Sequence, residues 1–254
     1  MILSHRHRFI FFKTHKTAGT SLEIALSKFC GPDDVITRIQ PADERLRRAA
    51  GFRGPQHFVH RPLREYGLKE VRSVLKRGRP PSLFDNHTKA TRLRTLVEPP
   101  VWAAYFKFTI VRNPWDVARS RYFHSVRKHW RPPPFDSWLA SRSHLINRNW
   151  PIYTEDDVPL MDFYIAYEDL ENDLTAVSAR LGTPENVFDV FKTLRAKGGF
   201  RAEARRVRGG ARWTPATIDL VAREAAAEIR FFGYEPPLAD AVALGDATGA
   251  DGAR

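Results

Sequence analysis

Lys13-Thr14-His15-Lys16-Thr17-Ala18-Gly19-Thr20-Ser21 is the stretch that decides the fold. It follows a short β-type apolar run, Arg8 to Lys13 (RFIFFK), and precedes a helical pattern at Leu22, Ile24, Ala25, Leu26 and Phe29. The order reads strand, tight loop, helix, with Gly31-Pro32 as the helix stop. Consecutive backbone N–H groups at such a helix start, flanked by hydroxyls and lysine, form a cradle for a tetrahedral anion. The Walker pattern GxxxxGK[ST] places its lysine after the last glycine, whereas Lys16 precedes Gly19 and no glycine comes earlier. A nucleotide kinase or hydrolase is therefore the weaker reading of this loop.

Working outward, Lys107 to Val111 (KFTIV) is dense in β-branched and aromatic residues, and Pro114 suits the first turn of a helix reaching about His129. A third unit, Asp162 to Leu181, opens on Phe163-Tyr164-Ile165-Ala166 and continues as a charged amphipathic helix; a last helix runs from Pro215 to about Phe231. From Pro41 to Pro81, helical stretches at Asp43 to Ala50 and Leu68 to Lys76 alternate with loops, with no convincing strand. Asn86 or His87 is placed to cap a helix through Lys89, Leu93 and Leu96 that Pro99-Pro100 ends. Strands alternating with helices predict an α/β protein of P-loop-like, three-layer type, its mainly parallel central sheet flanked by helices. Ligands in such sheets sit at the carboxyl ends of strands. Residues 1–237 read as one domain and 238–254, with little to bury, as a disordered tail.

Composition narrows the function classes. The 254 residues are 43% apolar and 12% aromatic, enough for a sizeable core. Cys30 has no disulfide partner in the chain, which suits a reducing compartment. The apolar run Phe9 to Phe12 is too short for a signal h-region, and no stretch approaches the roughly 20 apolar residues of a membrane helix. The expectation is a soluble, cytoplasmic protein with no membrane span. A formal charge of +12 attracts phosphate- or sulfate-bearing ligands. Charge alone also admits a nucleic-acid-binding module, but no zinc-finger, RRM or helix-turn-helix signature is present and the basic residues form no single stripe. His5/His7 and His57/His60 are sparse pairs without the companions a metal site needs, so no metal is expected.

Within the deciding stretch, HKTAGTSL resembles the 5'-phosphosulfate-binding loop of sulfotransferases. Phe108-Thr109-Ile110-Val111-Arg112-Asn113-Pro114, continuing to Arg119-Ser120-Arg121-Tyr122, resembles the family's 3'-phosphate-binding motif. Chemically, Arg112 at a strand end supplies a planar fork for a phosphate dianion, and the Ser120 hydroxyl lies about two helical turns on. WAAYFKFTIVRNPWD, DFYIAYEDLENDL and FFGYE are similar to segments of the carbohydrate (Golgi-type) sulfotransferases in their soluble bacterial form. Two departures stand out: the animal relatives' membrane anchor is missing, and Val117-Ala118-Arg119 replaces the more usual Arg-Leu-Val before Ser120.

The resemblance implies transfer of a sulfuryl group from PAPS (3'-phosphoadenosine 5'-phosphosulfate) to an acceptor hydroxyl on a glycan or small molecule, leaving PAP. It implies that Lys13, Thr17, Ala18, Gly19, Thr20 and Ser21 hold the phosphosulfate, Arg112 and Ser120 the 3'-phosphate, and that Lys16 stabilises the leaving oxygen. His87, before a short helix where similar family members carry a histidine, is the expected base, kept neutral by the helix dipole; His57, His60 and Asp85 are the alternatives. The acceptor is expected between Gly51 and Ser82 and between Arg131 and Pro159. Trp130, Trp138 and Trp150 offer rings for stacking on sugars, although core packing is the commoner role of any one tryptophan.

Overall fold

A computed structural model gives the structure, which describes residues 1–58, 64, 66–77, 82–127, 129–197 and 210–239. The strands are β1 (Ile2–Ser4), β2 (Phe9–Phe12), β3 (Val35–Ile36), β4 (Phe106–Val111), β5 (Thr154–Glu155), β6 (Val158–Pro159) and β7 (Phe163–Ala166). The helices are α1 (Gly19–Ser27), α2 (Pro41–Ala49), α3 (Leu68–Arg77), α4 (Ala90–Arg94), α5 (Pro99–Ala104), α6 (Pro114–Val126), α7 (Phe135–Ala140), α8 (Trp150–Tyr153), α9 (Leu170–Leu181), α10 (Val187–Lys197), α11 (Pro215–Glu224) and α12 (Ala226–Phe232).

The chain is mixed α/β, built on a five-stranded sheet in the order β3-β1-β2-β4-β7. β2 pairs parallel with β4 and β4 with β7, Phe9 facing Phe106 and Phe108 facing Phe163. β1 lies antiparallel to both of its neighbours. The unbroken apolar run of β2 is explained by burial on both faces. Phe9, Phe11, Phe108 and Ile110 pack under Leu22 and Leu26 of α1, Leu174 of α9 and Phe191 of α10. Ile10, Phe12 and Val111, one pleat over, face Leu93 of α4 and Trp150 and Tyr153 of α8. A third cluster joins α6, α7 and α11 through Trp115, Tyr122, Trp138, Trp213 and Val221. Burying each such large side chain contributes about 1.5–3 kcal/mol.

Because β2, β4 and β7 are parallel and in register, they end side by side at Phe12, Val111 and Ala166. The loop from Lys13, the Arg112-Asn113 turn and Tyr167 leave the same sheet edge. The Thr109 hydroxyl donates to the Phe12 carbonyl at 2.8 Å and ties two of those ends together.

Several expectations need correction. β1, β3 and the β5–β6 hairpin carry too few residues for a periodic signal. Neither Asn86 nor His87 caps a helix: α4 begins at Ala90 behind Lys89. Pro99 opens α5 instead of closing the preceding helix, its fixed φ and missing N–H suiting the first turn. The last helix is broken at Ala225 into α11 and α12; α11 packs into the third cluster, and α12 bridges the third through Ile229 and the second through Ala227 and Phe232. The helix at α10 has no counterpart in the sequence reading. Trp138 and Trp150 are core residues at 3% exposure, whereas Trp130 is open to solvent. Among the described residues no helix is long and apolar enough to cross a membrane. The expected tail beyond Asp240 lies outside the described residues.

Candidate functional site

At the strand ends the chain forms a cleft of about 1040 Å³. Its floor is the loop between β2 and α1. Thr14 anchors that loop, donating its hydroxyl to the Ile110 carbonyl and lying 2.8 Å from the Thr17 hydroxyl. Lys16 and Ala18 take left-handed backbone angles, φ 64° and 63°. That conformation costs a residue with a side chain about 1–2 kcal/mol, and it turns successive N–H groups toward one side. No side chain caps α1. A Cβ on Gly19 would lie 3.0 Å from Lys13 Cγ and 3.4 Å from the Thr14 carbonyl, so a larger residue in this tight turn would crowd the Lys13 side chain. The result is an uncapped, positively polarised helix start open to the cleft at Ala18, Gly19, Thr20 and Ser21.

The second wall comes from β4 and α6. Asn113 caps α6, accepting from the Trp115 N–H at 3.0 Å, with Pro114 in the first turn. Arg112, fixed just before that cap, donates to the Lys16 carbonyl at 3.2 Å, lies 3.6 Å from the Asp116 carboxylate and rests over the Tyr167 ring at 4.0 Å. Its Nε is buried with no hydrogen-bond partner among the described residues. A buried, unmatched guanidinium N–H points to a missing acceptor. Ser120, one helix face along, lines the same cleft. Burial, then the guanidiniums of Arg121, Arg127 and Arg112, lowers the Lys16 ammonium to about 8. Among the described residues only Asp116 answers this cluster directly, so the pocket favours an anion.

The third wall holds His87. Its Nδ1 lies 2.8 Å from the Lys13 carbonyl, which can only accept, so Nδ1 carries the proton and Nε2 presents its lone pair. The ring stacks on His15, with centroids 3.7 Å apart. His15 is held at both backbone polar groups by the Asn149 amide, at 2.8 and 3.0 Å. Burial lowers His87 to about 4. Burial and then the charge of a protonated His87 lower His15 to about 3. The neutrality expected of His87 therefore arises from desolvation, not from a helix dipole.

The cleft thus gathers Lys13, Lys16, Ala18, Gly19, Thr20, Ser21, His87, Arg112 and Ser120. Two residues differ from expectation. Lys13 is buried and its ammonium is committed to Glu23 at 2.9 Å. Thr17 is fully buried and braces the loop from beneath. Among the alternative bases, exposed His57 bonds the Pro32 carbonyl and Asp85 is exposed, neither lining the cleft, while His60 lies outside the described residues. The sequence reading missed Tyr167, although its place directly after a strand was a usable signal. It passed over His15, which sits within the loop itself, and missed Asp43 and the Phe188 and Phe191 wall from α10, which only tertiary packing brings here. No protein-family model matches the chain, and neither does any curated protein.

Proposed function

We propose that the protein is a PAPS-dependent sulfotransferase of P-loop-like, three-layer architecture, acting on a hydroxyl of a carbohydrate or other small molecule. One observation carries the reading: an uncapped helix start with Lys16 and a strand-end Arg112 with an unmatched buried Nε open into one cleft. Two anion sites on adjacent parallel strands match the two phosphate-bearing ends of one nucleotide. The lone, buried Cys30 suits a cytoplasmic location.

In the reaction the acceptor oxygen attacks the donor sulfur in line. The bond from sulfur to the bridging oxygen of the 5'-phosphate breaks, and PAP departs with that electron pair. His87 Nε2 takes the hydroxyl proton, and Lys16 offsets the charge growing on the bridging oxygen. The Ala18–Ser21 amides hold the 5' end of the donor, and Arg112 and Ser120 hold its 3'-phosphate.

Calorimetric melting tests the reading. PAP at a hundredfold excess over its Kd should stabilise the fold by about 2.7 kcal/mol. Arg112→Ala should weaken PAP by about 1.5–3 kcal/mol while affecting a nucleotide without the 3'-phosphate far less. A melting temperature unmoved by PAP but raised by ATP would replace this reading with a nucleotide kinase or hydrolase; a response to oligonucleotides alone would favour a nucleic-acid-binding module.

A further inference from the structure

The cleft is electrically divided. Around Lys16 gather Arg112 and Arg121, with Asp116 as the carboxylate in contact. Beyond Lys13, where α2 and the Asn86-His87 turn form the wall, the cations are already paired. Lys13 and Arg47 are tied to Glu23, and Arg47 also to Glu44. The Met1 amine is committed to the same Glu23 carboxylate at 3.2 Å. Asp43 then stands as the sole carboxylate lining the cleft, half-buried, with no hydrogen bond or ion pair among the described residues.

The polar groups beside Asp43 suit hydroxyls. Gln40 and Asn86 line the same wall, and Asn86 Oδ1 accepts from Thr37 at 3.0 Å, leaving its amide NH2 as a donor. A carboxylate with two amides offers both acceptors and donors at neutral or negative potential, the complement of vicinal diols. Leu46 and Ile24 supply apolar surface between them, suited to the C–H face of a sugar ring. An anionic acceptor placed here would face the Asp43 carboxylate, while the cations beside it, Lys13 and Arg47, are already paired with Glu23.

Resting on the sulfotransferase reading, we propose that the Gln40–Asp43–Asn86 wall is the acceptor subsite, and that it takes an uncharged polyhydroxyl compound, a neutral sugar or glycoside, rather than a carboxylated or sulfated glycan. Asp43 accepts from a hydroxyl next to the attacking one and orients the ring toward His87. It is a positioning residue for the acceptor and has no part in donor binding.

The test uses the full chain with radiolabelled PAPS, offered cellobiose and octyl glucoside against glucuronic acid and N-acetylglucosamine 6-sulfate, with PAP-induced melting measured in parallel. Expected is transfer to the neutral pair at least tenfold faster than to the anionic pair. Asp43→Ala should raise the acceptor KM at least tenfold with little change in kcat, and Asp43→Asn should recover part of that loss. The PAP melting shift should be the same in all three proteins. A normal PAP shift with preference for the anionic pair, with an inert neutral pair, or with an unchanged KM in Asp43→Ala overturns the acceptor assignment alone. Loss of the PAP shift in the wild type overturns the donor reading and this assignment with it.

Discussion

At the scale of single residues, the two groups assigned to chemistry have acidities displaced in ways that predict a pH profile. In the free enzyme His87 accepts a proton only above about 4, and Lys16 keeps its charge only below about 8. The kcat/KM profile, which reports the free enzyme, should rise through about pH 4, run flat, and fall above about pH 8. Bound PAPS brings negative charge beside both groups and raises both, so both limbs of the kcat profile should shift upward. Lys16→Met should lower kcat far more than donor affinity and abolish the basic limb, and His87→Asn should abolish the acid limb. A kcat/KM limb near pH 6.5 would point to an exposed histidine instead. Lys16, Arg112 and Ser120 were legible because their chemistry rests on local order: strand end, turn, helix start. The fate of Lys13 was not legible, since a lysine three residues from Lys16 looks the same until Glu23 is known to lie beneath it.

At the scale of elements, Glu23 on α1 joins pieces distant in sequence. It is fully buried and contacts Lys13 at 2.9 Å, the Met1 amine at 3.2 Å and Arg47 of α2 at 3.5 Å. These cations hold its carboxyl below the usual range despite desolvation, which alone would raise it. Removing one member of such a network strands the others, so Glu23→Ala should cost about 3–5 kcal/mol in denaturant unfolding. Lys13→Met should cost less, because Glu23 keeps Arg47, and should leave PAP affinity nearly intact. A large loss of PAP affinity in Lys13→Met would return that lysine to the donor site. Strand and helix pairs around the three loops were readable from period and punctuation. α10 was not, because Val187, Val190 and Phe191 read as an ordinary apolar stretch until α1 and α9 provide the surface they cover.

For the molecule as a whole, stability carries a pH dependence set by a buried acid far from the sequence motifs. Glu228 of α12 accepts from the Tyr153 hydroxyl of α8 at 2.6 Å, and burial raises it from its ordinary 4.5 to about 7. The folded state therefore binds this proton more tightly than the unfolded state. Its stabilising contribution is full below about pH 4.5 and is lost as pH rises to about 7, on the order of 3 kcal/mol in total. Glu228→Gln keeps an acceptor for Tyr153 and removes the titration. Its stability advantage over the wild type should be absent at pH 4.5 and approach that size at pH 8; an advantage independent of pH would mean that Glu228 does not titrate in this range. Nothing in Ala226-Ala227-Glu228 marked this residue beforehand, since on a helical pattern it reads as one more solvated charge.

The parallel pairing of β2 with β4 also sets a timetable for synthesis. Phe9 finds its partner only when Phe106 has been made, about 100 residues later, which at roughly 5–20 residues per second is a wait of about 5–20 s. β1 can fold back on β2 within that interval, but a two-stranded ribbon is marginal in water, and the aromatic run from Phe9 to Phe12 then has no neighbour on its other edge. Newly emerging chains thus pass through a period in which an adhesive strand is unprotected, a hazard of synthesis that the finished fold does not display.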